Sequence, residues 1–207
     1  MSICLTTIYQ LIDSVGMQGG RRRDLDTTRG ALLRNATETV RRGGSASLNF
    51  RDLGHSAGVK SSTVHYYFPT KADLLTEIAG EYTTSFIAAL DRDTRKSQSF
   101  RQDLLTLVDL FADAQRQQLS CLCGMLATEA EVLDPNVRSA ANQFFAKLQD
   151  WIVRRSQLRG TSRPGGLMPA RFADLLVSLL EGALLLSRLD AHRSSLAAAR
   201  EWVQRIV

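Results

Sequence analysis

The chain has 207 residues, 44% of them hydrophobic, and a formal net charge of +5, which is enough apolar content for a buried core and excludes domain-scale disorder. No uninterrupted apolar run of about 18 residues exists, so no membrane span is expected; the richest stretch, Phe172 to Leu189, is broken by Asp174, Glu181 and Arg188. Three cysteines make no disulfide framework and point to a reducing cytoplasm.

Met1–Gly16 lacks the basic start and cleavage pattern of a signal peptide, and Met17 is an equally good start. These residues are expected to be an over-extended gene start or a loosely held extra segment. Arg21-Arg22-Arg23 reads either as a basic arm reaching DNA or as a tail with no specific partner. The first helix is predicted over Thr28–Arg42, with Leu32, Leu33, Ala36 and Val40 on one face and Gly43-Gly44 as its stop. Asn49 or Ser47 caps a second helix ending near Ser56. Gly58 then sits where a helix-turn-helix needs a residue that tolerates positive φ.

The third helix, Ser61–Tyr67, opens with small hydroxylic residues, which let a helix enter a major groove unobstructed. Pro69 ends it, Thr70 caps the next, and Asp73 occupies an early position that the helix dipole favours. That fourth helix carries Leu74, Leu75, Ile78 and Tyr82 and extends to about Leu90. Asp91–Ser97 is charged without apolar interruption and reads as an interdomain linker.

Beyond it, Ser99 to Gln102 is a capping box leading into Leu104, Leu107, Val108 and Phe111. Cys121–Val132 is a shorter segment. Asp134-Pro135 supplies a cap and a first-turn proline for a helix carrying Val137, Ala141, Phe144, Leu148 and Trp151. After a loop at Gly160–Gly166, Phe172 to Leu184 and Leu196 to Ile206 mark the last two helices. No strand alternation is visible, so the expected class is all-α with about nine helices. The Phe172–Leu184 helix is apolar over more than one stripe, so a partner subunit is expected to cover part of it, with Leu180, Gly182 and Ala183 at the contact. Burial inside one chain is the alternative.

Between Arg21 and Lys71 ten Arg and Lys face four acids, a net +6, so the rest of the chain carries −1. Concentrated positive charge in the helix-turn-helix segment suits phosphate neutralisation. Elsewhere, Cys121 and Cys123 are two apart; on a helix they point about 200° from each other and cannot share a metal. They read as buried small hydrophobes or, for Cys121 at a helix start, as a thiol sensing oxidants or electrophiles. Phe111, Met125, Phe144, Phe145, Trp151 and His192 are candidates for a ligand pocket, though the same spacing serves a core. No convergent Ser-His-Asp order, phosphate loop or zinc-spaced His pair exists, so no enzyme, metal or organic cofactor is expected.

Leu53, Ala57-Gly58-Val59, Ser62-Thr63-Val64, Tyr66-Tyr67-Phe68 and Lys71 with Leu74-Leu75 keep a fixed spacing over residues 49–75. In these positions the chain resembles the DNA-binding domain of the TetR/AcrR family of bacterial transcription regulators, over roughly residues 27–78. His65 departs from the tyrosine the family most often has there. Lys60, Ser61, Ser62, Thr63, His65, Tyr66 and Tyr67 are the candidates for DNA contact, the resemblance implies a phosphate contact by Lys71, and Val64 and Phe68 are expected as core because the three-helix unit must anchor its recognition helix. The resemblance further implies ligand sensing in the 121–132 region and a homodimer through about residues 170–206. The expected division is an extension and arm over 1–26, a DNA-binding domain over 27–90, and a regulatory and dimerisation domain over 91–207. The expected protein is a cytoplasmic, nucleoid-associated repressor released from a palindromic operator by a small-molecule inducer. The alternatives are a DNA-binding regulator without small-molecule input, or a thiol-based sensor using Cys121.

Overall fold

Local capping chemistry sets most of the helix ends in the computed structural model, which describes residues 20–190 and 195–207. The Met1–Gly16 segment, Met17 and His192 lie outside the described residues. Helix α1 (Gly20–Gly43) begins ahead of the expected Thr28, because no proline or glycine interrupts the chain from Arg21 to Arg29. Arg21-Arg22-Arg23 therefore belongs to a helix and is not an extended arm. Gly44 ends α1 at φ 79°, its N–H donating to Val40 O at 2.8 Å. In α2 (Phe50–Ser56) Asn49 is the cap, its side chain accepting from Asp52 N at 2.8 Å. Gly58 takes φ 70° as expected and turns the chain into α3 (Ser61–Tyr67). Before α4 (Lys71–Asp93), Thr70 Oγ1 accepts from Asp73 N at 3.1 Å while the Asp73 carboxylate accepts from Thr70 N at 3.0 Å.

The remaining helices are α5 (Phe100–Arg116), α6 (Leu122–Ala127), α7 (Pro135–Leu158), α8 (Pro169–Leu186) and α9 (Ser195–Ile206). Ser99 caps α5 by accepting from Gln102 N, and Asp134 Oδ1 accepts from Asn136 N at 2.8 Å at the start of α7. The fold is all-helical, with nine α-helices and no strand among the described residues. No described helix is long and apolar enough to cross a membrane.

Two compact units divide the chain. The first holds the described residues through Tyr82 together with Leu122–Asn142; the second holds Thr83–Cys121 and Gln143–Val207. The division falls within α4 and α7, whereas the sequence placed it after Leu90. In the first unit Leu32, Val40, Val64, Phe68, Leu74 and Ile78 are buried, as are Leu122, Leu126 and Val137 from the later segment. Here α1 packs against both α6 and the short turn Ser45–Ser47. The Glu129 carboxylate accepts from Ser45 N at 2.9 Å and from Ser45 Oγ. A Cβ at Gly44 would displace the end of the Glu129 side chain, and the φ of 79° independently favours glycine here.

In the second unit α5, α8 and α9 pack on one another. Asp103 is fully buried and receives Arg155 Nη2 at 2.6 Å, Arg155 Nε at 2.9 Å and Arg159 Nε at 3.2 Å. These arginines also reach Thr94 O at 3.3 Å and Ser97 O at 2.5 Å. The expected linker at 91–97 is accordingly a correction: α4 runs on to Asp93, Asp91 Oδ1 accepts from Trp151 Nε1 at 2.9 Å, and Thr94 is buried. Side chains of α7 partner Asp91 and the Thr94 and Ser97 carbonyls.

Helix α8 has two apolar faces. Phe172, Leu176, Leu180, Ala183 and Leu184 are buried within the unit, which removes Leu180 and Ala183 from the expected partner contact. Leu175 and Leu186 are 48% and 43% exposed, and Leu179 and Gly182 lie between them partly covered. The spacing 175, 179, 182, 186 is a helical stripe with four- and three-residue steps. Nothing described lies within 4 Å of a Cβ built on Gly182.

Candidate nucleic-acid interface

The recognition surface is built on two anchors. Val64 and Phe68 are fully buried on one side of α3, and this forces Lys60, Ser61, Ser62, His65 and Tyr66 outward. Thr63, Tyr67 and Lys71 are half-buried at its margins. His65 stands edge-on to Phe50 with ring centroids 4.7 Å apart, and Tyr66 stands edge-on to Tyr67 at 5.2 Å. These contacts fix the aromatic side chains to the head of α2 and to each other, so they are presented at low entropic cost.

A groove of about 670 Å³ runs between α2 and α3, lined by Arg51, Asp52, His55, Val59, Lys60, Ser61 and Ser62. Arg51 and His55 were not singled out from the sequence. Their spacing of four on the exposed face of α2, beside the Gly58 turn, is the signal that could have found them. The Asp52 carboxylate, of the wrong sign for a phosphate, accepts from Asn49 Nδ2 at 2.6 Å and is held in the cap.

The net +6 overstates the charge available. Arg29 pairs with Glu77 and lies over the Phe68 ring at 5.6 Å. Arg42 pairs with Glu38 at 2.8 Å, and Arg41 is buried over the Tyr82 ring at 5.5 Å. Arg51, Lys60 and Lys71 have no acidic ion-pair partner among the described residues, and they cluster at the groove and the start of α4.

The candidates of the later region separate. Phe111 and Phe144 are buried and meet through Phe86, at centroid distances of 6.0 and 5.2 Å, with Phe145 against Phe144 at 5.3 Å. Trp151 is buried with its indole N–H on Asp91. Met125 belongs to the first unit, beside Gly44. Cys121 and Cys123 are both buried. Cys121 stands immediately before α6, at its N-cap position. The thiol hydrogen-bonds to the Glu181 carboxyl on α8. Burial pushes that carboxyl up to about 7, against the opposing pull of the thiol. Glu181 Oε1 is shut off from solvent and has no hydrogen-bond partner among the described residues. Gln115, Gln118, Leu119, Ser187 and Arg188 line a cavity of about 250 Å³ nearby in sequence, with Arg188 Nη1 donating to Ser120 Oγ at 2.8 Å. Neither Glu181 nor this cavity was legible in the sequence.

With this geometry in view, residues 32–78 match the family described as bacterial regulatory proteins, tetR family. Residues 98–201, half of the chain, match the C-terminal domain of LmrA/YxaF-like transcriptional regulators. No curated protein matches at a significant level. Among solved structures, a TetR transcriptional regulator from Legionella pneumophila is 22% identical, covering 93% of this chain and 100% of its own, with a TM-score of 0.80. A TetR-family regulator from Agrobacterium tumefaciens is 21% identical over 88% of this chain and 99% of its own, at a TM-score of 0.81. A regulator from Saccharomonospora viridis, solved in complex with choline, is 19% identical over 86% and 94% of the two chains, at 0.70. The similar structures share the fold, and the family matches carry the assignment: the chain belongs to the TetR family of bacterial transcriptional regulators.

Proposed function

We propose that this regulator is a homodimeric repressor that binds a palindromic operator through α3 and leaves it when a small molecule occupies the second unit. The observation that carries the DNA reading is the anchored α3, with Lys60 to Thr63 facing out beside Arg51 and Lys71. Lys60–Thr63 and the exposed face through His65 and Tyr66 read base edges, while Tyr67, Lys71 and Arg51 hold phosphates. Replacing Lys71 by Ala is expected to weaken binding to every duplex and to flatten the salt slope by about one unit. Replacing Ser62 or Thr63 should change sequence preference instead. Fluorescence anisotropy across a salt series measures both; absence of any preference over random duplex at moderate salt overturns the reading. Such a protein works where the chromosome is, in the bacterial cytoplasm.

Two recognition helices must lie about 34–36 Å apart to read successive major grooves, which needs a dimer. The stripe Leu175, Leu179, Gly182 and Leu186 supports α8 as the contact. Leu186→Arg is expected to yield folded monomers in sedimentation, because the charge is solvated in one chain and buried unpaired in two. Leu180→Arg should unfold the protein instead, since Leu180 is buried within its own chain. A dimer that survives Leu186→Arg and Leu175→Arg together sinks this placement.

The small-molecule step draws support from the polar-lined cavity at Arg188 and from the choline bound by the Saccharomonospora relative. The buried rings of Phe111, Phe144 and Trp151 sit in the same unit but are not among the residues that line this cavity. A second reading, in which the signal is chemical modification of Cys121, is favoured by the contact between its thiol and Glu181.

A further inference from the structure

A buried carboxyl is normally satisfied or neutral, and Glu181 is only half provided for. The Cys121 thiol is its hydrogen-bond partner, while Oε1 faces no donor among the described residues. Nothing in the DNA-binding reading uses either group. Leu119, two residues before Cys121, and Arg188, held by Ser120, both line the 250 Å³ cavity of the same unit. The segment that carries the thiol thus also forms the wall of a space large enough for a small organic molecule.

We propose that Cys121 and Glu181 form a thiol–carboxylate pair that reacts with a soft carbon electrophile of the α,β-unsaturated carbonyl or quinone class, Glu181 taking the thiol proton. This rests on the second reading above, that Cys121 is the modified residue. The sulfur attacks the β-carbon, an S–C bond forms, and the C=C π bond breaks to an enolate. The thiol proton passes to Glu181 and then to the α-carbon, so the addition is complete without oxidant or reductant. The orphan Oε1 is the position from which a proton can be delivered, since no other group claims it. The thioether that results has no proton to donate. Glu181 then loses its hydrogen bond while remaining buried, and its neutral form becomes the favoured one. Modification at Cys121 is thereby written as a change of charge on α8.

The test turns on sign. A carboxylate that is merely a neighbour raises the pKa of a thiol, so neutralising it as Glu181→Gln would speed alkylation. A carboxylate that takes the proton does the reverse. Alkylation of the native full-length protein by N-ethylmaleimide, followed by intact mass and peptide mapping, gives the rate at Cys121, with Cys4→Ser and Cys123→Ser present to remove the other two thiols. E181Q is expected to slow the reaction at pH 7 about a hundredfold, the low end of what a positioned base contributes, while the two chains react equally in urea. An equal or faster rate in E181Q overturns the role of Glu181 and leaves the modification of Cys121 standing. No labelling of native wild-type Cys121 overturns the thiol reading itself. Should E181Q not fold, the wild-type rate decides. Levelling near pH 7 supports the pair, and a rate that keeps rising about tenfold per pH unit to roughly pH 8, as for a thiol of ordinary acidity, overturns it.

Discussion

Asp103→Ala is expected to cost about 3–5 kcal/mol of stability, the range for removing one member of a buried ionic cluster. The reason lies in what is left behind. Arg155 and Arg159 have side chains only 16% and 25% exposed, and Asp103 supplies the acceptor for three of their N–H groups. Without it, two guanidinium groups remain within the unit with only the Thr94 and Ser97 carbonyls to share, and the Trp151 ring at 5.7 Å from Arg155. Urea titration should show the midpoint falling by about 1–3 M at unchanged slope. Replacing all three residues by hydrophobic ones of similar size should recover most of the loss, because the cost of removing water from three charges disappears with the charges. A loss below about 1 kcal/mol in Asp103→Ala would show that the arginines reach water or another acceptor.

Glu181→Gln is expected to do the opposite and stabilise the protein, with a pH dependence that identifies the cause. The folded state holds this carboxyl near 7, against 4.5 for an unburied one. Below pH 4.5 both states carry the proton and the substitution changes little. Between 4.5 and about 7 the unfolded chain ionises while the folded chain does not, so wild-type stability falls as pH rises. Above about 7 the full cost applies, roughly 3 kcal/mol. Denaturation of wild type and variant at pH 4, 6 and 8 should therefore give a gap that opens with pH and then levels. A constant gap would assign the effect to packing. The same variant should be the more stable protein and the slower to alkylate.

What the sequence disclosed was local. Asn49, Gly58, Thr70 with Asp73, Ser99 and Asp134 act within a few residues of themselves, and each is found in its expected role. Val64 and Phe68 were legible as core for the same reason, since a short recognition helix must be anchored from its own back face. The misreadings share a different cause, partners distant along the chain. Arg29 meets Glu77, Asp91 meets Trp151, and Arg155 meets Asp103, none of which periodicity reveals. Charge at 91–97 therefore looked solvated, and the basic count at the N-terminal end looked wholly available. Glu181 resembled an ordinary polar break in an apolar helix, because its burial depends on a segment 60 residues earlier. The apolar width of α8 was correctly seen, but which leucines face outward depends on how its own unit covers it.

The hold of Glu129 on Ser45 has a bearing on how such regulators can be recombined. The unit that holds the helix-turn-helix is discontinuous in the chain: it includes a stretch, 122–142, that follows residues 83–121 of the second unit. An exchange that joins residues 20–90 of this protein to a foreign sensor would carry Ser45 and Gly44 without the carboxylate they were shaped around. The graft would keep every side chain of the α2–α3 surface and still lose the brace at the end of α1. Modular transplantation of this head is therefore a two-piece operation, and the inherited unit of specificity is larger than the motif that announces it.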